Sequence, residues 1–202
     1  MTEQQPYEVV QSYPTFELRR YPPHLVAEVS VHGSFGEAGN RAFRSLFGYI
    51  TGQNESARSV AMTAPVIQEN ATSEKIAMTA PVVQVENSSG DYVVAFVLPA
   101  SLTAETAPVP ADPRVRVREV PERLAAAMRY SGRWTEAGYR RRLAQLKTDM
   151  VRVGLHPGGT ARFARFDPPF KPWFLRRNEV LVDVEETSAP TAGTAEGPIH
   201  HG

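Results

Sequence analysis

The chain has 202 residues and 42% hydrophobic content, enough for one well-packed domain or for two small halves sharing a core. Its 22 basic and 22 acidic residues cancel to a net charge of +0, so no basic excess points to nucleic acid or a membrane surface. The absence of cysteine excludes disulfides, thiolate zinc sites, iron–sulfur clusters and covalent haem attachment through C-x-x-C-H.

The opening MTEQQPYEVV has no positive region followed by an apolar run, and no stretch has the length and apolarity of a membrane span. A soluble, cytoplasmic protein is expected. Residues 1–6 read as a flexible N-terminus. Strands follow near 7–13, 15–21 and 24–31; in the last, Leu25, Ala27, Val29 and Val31 alternate onto one face. A helix covers about 35–50. Strands come next near 58–68, 75–86 and 91–98. Thr103–Pro113 is a proline-rich connection. Strands near 114–120 and 123–131, a helix over about 134–153, and strands near 160–167 and 178–185 complete the order. The segment from Thr187 to Gly202 is poor in large apolar residues and reads as a disordered tail.

The chain repeats itself. FELRRYPPHLVAEVSVHGSFGEAG (Phe16–Gly39) aligns without gaps with VRVREVPERLAAAMRYSGRWTEAG (Val115–Gly138), at an offset of 99 residues. Arg19, Pro22, Leu25, Ala27 and Gly33 meet Arg118, Pro121, Leu124, Ala126 and Gly132. The strand phase is kept, because Leu124, Ala126, Met128 and Tyr130 alternate as their counterparts do. Two copies of one unit are expected: hairpin, strand, turn, helix, then further strands. They span about 7–98 and 114–186 within a single domain over 7–186. Helices between groups of hairpin-like strands give α+β with a mostly antiparallel sheet, curled by two related halves into a barrel-like form.

A hexamer, Ala-Met-Thr-Ala-Pro-Val, is also written twice, starting at Ala61 and Ala77. The polar stretch between the copies reads as a hairpin loop with one hexamer on each arm. Met62 and Met78 either fill equivalent core sites or line a ligand cavity, where a flexible thioether adapts to a large flat molecule.

The two helices are not equivalent. On a wheel of the first, Phe35, Gly39, Ala42, Phe43, Leu46, Tyr49 and Ile50 form one broad apolar arc. Phe47 lies past its edge, beside Asn40 and Arg44, and its counterpart in the second helix is Lys147. Phe47 is either a single exposed apolar residue or, with Phe43, a shelf for a bound molecule with Arg44 or Arg41 near its edge.

Several segments resemble the SOUL haem-binding family. They are YEVVQSYPTFELRRYPP, FGYITGQN followed by the MTAPV phrase, and ARFDPPFKPWFLRRNEVLV. The resemblance runs from Tyr7 to Glu185, and the doubled MTAPV hairpin is similar to that of bacterial members. It implies two pseudo-symmetric βαβ-type repeats forming a distorted antiparallel β-barrel flanked by two helices. It implies non-covalent haem or other tetrapyrrole binding beside the first helix, as carrier, buffer or sensor. Phe43 and Phe47 would meet the porphyrin face, and Lys171 would meet a propionate. Where relatives carry basic residues on that helix, this chain has Asn40 and Gly48, and Arg41 and Arg44 are expected to point elsewhere.

Of the histidines, His24 lies on the strand face opposite Leu25, His156 precedes a Pro-Gly-Gly loop, and His32 sits at the strand–helix turn. His32 is the candidate axial ligand. No nucleophile elbow, phosphate loop or His/carboxylate cluster at metal spacing is present, so no catalytic residue is assigned. Two other readings stay open: an effector-binding module for a different apolar or cationic ligand, and a hydrolase or tetrapyrrole-modifying enzyme on the same scaffold. Arg177, Asn178 and Glu179 either tie down a loop or rim the groove. The expected partner is a small apolar ligand, with no nucleic acid, no membrane span, and a monomer favoured.

Overall fold

A computed structural model describes residues 3–56, 73–87, 90–168 and 170–185. The expected strand over 58–68, Met62 with it, and the tail from Thr187 lie outside the described residues. The first half contains β1 (Glu3–Gln4), β2 (Glu8–Ser12), β3 (Glu17–Tyr21), β4 (His24–Val31) and α1 (Phe35–Ile50). It continues with β5 (Asn54–Glu55), β6 (Thr79–Ala80), β7 (Val82–Glu86) and β8 (Tyr92–Val97). The second contains β9 (Val109–Pro110), β10 (Arg116–Val120), β11 (Arg123–Ser131), α2 (Glu136–Arg152), β12 (Pro157–Arg165) and β13 (Arg177–Val184). The bounds of β4, α1 and β11 coincide with those read from the sequence.

Nine strands form one antiparallel sheet in the order β10-β4-β8-β7-β12-β13-β11-β3-β2. It is strongly curled into a half-barrel carrying two helices. The curl stops short of closure, because β10 and β2 are the two ends of the order and do not pair with each other. The expected barrel is therefore open along one side. Near the N-terminus, Glu3–Gln4 pairs in parallel with Thr79–Ala80, and the Gln5 N–H donates to the Ala80 carbonyl.

Each half lends the first strand of its repeated segment to the other, β3 from Phe16–Gly39 and β10 from Val115–Gly138. β3 pairs with β11 rather than with β4, and β10 pairs with β4 rather than with β11. Tyr21 opposes Arg123 and Glu17 opposes Ala127; shifted by 99 residues, these become the observed pairs of Val120 with His24 and Arg116 with Glu28. The repeat is thus kept to the individual cross-strand pair. The hairpin at the start of each unit survives only in the first, as β2–β3, because β9 pairs with β5 instead.

Alternation decides what each face buries. Leu25, Ala27 and Val29 of β4, with Val94 and Phe96 of β8, pack under Ala42, Leu46, Tyr49 and Ile50 of α1. Ala126 and Met128 of β11, with Val180 and Val182 of β13, do the same under Leu146 and Met150 of α2. Phe35, at the start of α1, crosses the seam: its ring stacks on Tyr139 at 5.7 Å and meets Phe163 at 5.3 Å. The strand-to-helix turns match too. Gly33 has φ +134° and Gly132 has φ +144°, a region that a side chain would strain.

Arg165 lies across the same seam, with its guanidinium 5.0 Å from the Phe163 ring and 5.1 Å from that of Trp134. Burial disfavours its charge and pulls its pKa below the usual guanidinium range. A Cβ at Gly39 would stand 2.8 Å from its Nη1, whereas one at Gly36 would meet nothing within 4 Å. Alanine is a better helix former than glycine at both sites, by about 1 kcal/mol. Gly36→Ala should raise the thermal midpoint. Gly39→Ala should lower it, because the guanidinium is held by the rings and by its bond to Gln84, and overpacking costs ~1–3 kcal/mol. Equal shifts from the two variants would contradict this account of the seam.

Candidate ligand-binding surfaces

Two surfaces have the geometry of a site, one on α1 and one on the opposite face of the sheet. At the start of α1, Glu37 reaches back and accepts from the Ser34 N–H and hydroxyl. Those bonds, first the hydroxyl and then the N–H, hold the Glu37 carboxyl below its ordinary pKa. Farther along the helix, Phe43 is 40% exposed and Phe47 45% exposed. Their rings stack at 5.6 Å with an interplanar angle of 15°. Phe43 also rests edge-on against the buried Phe96 ring at 5.5 Å, which fixes the ledge to the core.

Beside the ledge lies a depression of about 460 Å³, lined by Asn40, Arg41 and Arg44 of α1 and by Asp112 and Arg114 of the inter-half connection. At 100° per residue, Asn40 and Arg44 follow Phe47 around the helix, so ledge and depression adjoin. The expectation that Arg41 and Arg44 point away from the position of Asn40 is corrected: all three line one depression. Arg114 bonds Asp112 at 2.7 Å and holds its carboxyl well below the usual carboxylate range. Three guanidiniums face one carboxylate, an excess of two positive charges. Gly48, where relatives carry a basic residue, is covered by the Gln53 side chain, into which a Cβ would collide.

The other residues singled out in the sequence are scattered. Lys171 does not line the depression; its Nζ donates to Asp167 at 2.7 Å. The loop around it holds Phe170, Trp173 and Phe174 at the surface, at 88%, 49% and 58% exposure. His32 stands in solvent with its Nδ1 2.6 Å from Asp91, and Met78 is 36% exposed. Asn178 ties a loop, accepting from Trp134 Nε1 at 2.7 Å and donating to the Gly132 carbonyl. Among the described residues, no group of three histidine or carboxylate side chains is arranged to hold a metal ion.

The second surface went unnoticed in the sequence. The hollow of the half-barrel encloses a cavity of about 330 Å³. Val26, Val83, Val93, Ala95 and Val97 wall one side; Ala164, Phe166 and Leu181 wall the other. Tyr7 and Tyr21 border it, together with His24, Glu28, Arg118, Arg123, Arg162 and Glu179. Glu179 is fully buried, with Arg19 Nη1 at 2.7 Å from one oxygen and Arg177 Nη2 at 2.7 Å from the other. Burial opposes the Arg19 charge more than any one contact favours it, but Glu179 and Tyr21 together outweigh burial and raise the guanidinium pKa. Asp183 takes both Arg162, at 2.6 Å, and Arg123, at 3.0 Å; Glu28 takes Arg118 at 2.9 Å. The available signal was apolarity on both strand faces: in YVVAFV of β8, Val94 and Phe96 go to the helix side, Ala95 and Val97 to the hollow.

A curled antiparallel sheet of two exchanged repeats, with a helix on each, defines an α+β scaffold. The model of the family described as SOUL heme-binding protein matches the chain twice, over residues 2–71 and 67–183. The chain belongs to that family. No curated protein shows significant sequence similarity to it. Among solved structures, EcmrR in a complex with DNA overlays with a TM-score of 0.60 at 9% identity, covering 89% of this chain. This chain spans only 58% of that protein's chain. The EcmrR C-terminal domain alone gives 0.55 at 10% identity, covering 89% of this chain and 98% of that one. A hydrolase from Listeria innocua gives 0.52 at 14% identity, covering 86% and 94%. At such identities the likeness is one of fold. No helix among the described residues is long and apolar enough to cross a membrane.

Proposed function

We propose that the chain binds a tetrapyrrole non-covalently on α1, as a carrier, buffer or sensor of haem or a related porphyrin. One observation carries the reading: two phenylalanine rings, stacked 15° from coplanar and nearly half exposed, stand next to a depression rich in guanidinium groups. A flat apolar macrocycle edged by two carboxylates matches that surface in shape, polarity and charge. Phe43 and Phe47 would lie under the ring, Arg44 and Arg41 beside the propionates, and Asn40 between. Haem, when bound, would bring its own iron chemistry. The protein contributes the apolar platform, the orientation and the counter-charge. Lys171 contributes weakly at most, since reaching a propionate means leaving Asp167. His32 engages Asp91 through Nδ1, which leaves Nε2 as the nitrogen that iron could take, and the proposed binding does not depend on that ligation.

Titrating the protein with ferric haem tests this directly. A stoichiometric complex with a shifted Soret band is expected. Phe47→Asp should weaken it at least ten-fold or so, because a carboxylate is placed beneath an apolar ring. The position is nearly half exposed, and a urea midpoint measured on the same variant separates folding from binding. An unchanged affinity in Phe47→Asp would move the site elsewhere.

A further inference from the structure

We propose that the hollow of the half-barrel is a second, separate binding site, and that it takes an amphipathic organic anion: an apolar tail ending in one carboxylate. The cavity of about 330 Å³ falls in the range of small-molecule sites. Its two walls of valine, alanine, leucine and phenylalanine suit a hydrocarbon tail. The charged groups decide the head. Five guanidiniums, those of Arg19, Arg118, Arg123, Arg162 and Arg177, face the carboxylates of Glu28, Glu179 and Asp183, with Glu17 reaching Arg19 from the outside. The balance is one positive charge in excess. His24, beside them, responds accordingly: burial first, then Arg162, Arg123 and Arg118, hold its pKa below the ordinary value and keep it neutral.

Glu179 is the one deeply buried acid on the wall, and it would draw a cation if it were free. It is not free. Oε1 accepts from Arg177 Nε and Nη2, and Oε2 accepts from Arg19 Nη1. Tyr21 and Arg123, both on the lining, can donate to an anion. Tyr21 Oη accepts from Arg19 Nη1 at 3.2 Å, so its own proton is left to point elsewhere, and burial keeps the phenol protonated, with its pKa pushed up to about 12. Arg123 engages Asp183 through Nη1, leaving its other nitrogens to the cavity it lines.

Calorimetric titration with three ten-carbon probes, decanoate, decanol and decyltrimethylammonium, tests the proposal on the full chain. Decanoate is expected to bind one-to-one and at least ten-fold more tightly than the ammonium probe. Tyr21→Phe should weaken decanoate about ten-fold. Ala95→Trp, which fills the cavity, should abolish its binding while leaving haem binding unchanged; Phe47→Asp should do the reverse. If Ala95→Trp does not fold, Tyr21→Phe together with the ranking of the probes decides. Preference for the ammonium probe, no preference, no binding of any probe, or decanoate binding intact in a folded Ala95→Trp protein would each overturn it. Because the haem and decanoate titrations are read separately, failure at one surface leaves the other standing.

Discussion

Glu179→Ala is expected to lower the unfolding free energy by about 3–5 kcal/mol, as does removal of one partner from a buried ion pair. Arg19 is 3% exposed and Glu179 fully buried, so neither water nor salt can take over the lost charge. Two guanidiniums share that carboxylate, and Arg19 bonds it through Nη1 at 2.7 Å and Nη2 at 3.3 Å. The damage would spread, since the pair joins β3 to β13 across the intervening β11. Urea unfolding followed by far-ultraviolet circular dichroism measures it. Replacing the whole set, as Arg19→Met and Arg177→Met with Glu179→Leu, should recover more than half of the loss, because the desolvation cost disappears with the network. A single-variant loss below about 1 kcal/mol would mean that the network is far better hydrated than its burial indicates.

A steep loss of stability is expected in alkali. Tyr21, Tyr49 and Tyr139 are each pushed from an ordinary value of 10.0 up to about 12, in each case chiefly by burial. Tyr130 shifts in the same direction for the same first cause. In the folded state these phenols keep their protons where the unfolded chain has released them. Their contribution is therefore fully present below pH 10 and drains away as pH rises from there towards 12. At about 1.4 kcal/mol per unit, three such groups place several kcal/mol in that window. Urea midpoints should be flat to about pH 9 and fall sharply above pH 10. Tyr139→Phe should blunt the fall, while Tyr49→Phe should do so at the cost of the hydrogen bond from Tyr49 to the Pro108 carbonyl. A midpoint unchanged at pH 11.5 would contradict the burial of all three rings.

Local structure was legible where periodicity and punctuation agreed. The alternation of Leu25, Ala27 and Val29, the glycine turn at Gly33 and the apolar arc of α1 are each short-range signals, and their bounds emerged intact. The exposure of Phe47 was legible for the same reason, since a residue past the edge of the apolar arc has nothing to pack under, whereas Phe43 lies within the arc and is exposed all the same. What the sequence could not convey was which distant segments meet. β3 looks like the natural neighbour of β4, yet it pairs with a strand a hundred positions later, and no local pattern distinguishes the two arrangements. The depression needed the same kind of information. Asp112 and Arg114 come from a proline-rich stretch that reads as a mere connection, and only the fold brings them opposite Arg44. The hollow was hidden because alternation was used to find one buried face, when β8 is apolar on both.

The exchange of first strands makes the molecule a single-chain counterpart of a swapped dimer. During synthesis the β2–β3 hairpin must wait with one edge unsatisfied until β11 has left the ribosome. Neither half, cut out by itself, would own a complete sheet. Each would instead present a vacancy shaped for the missing strand, so two separately expressed halves should seek each other out, and a truncated one should seek itself.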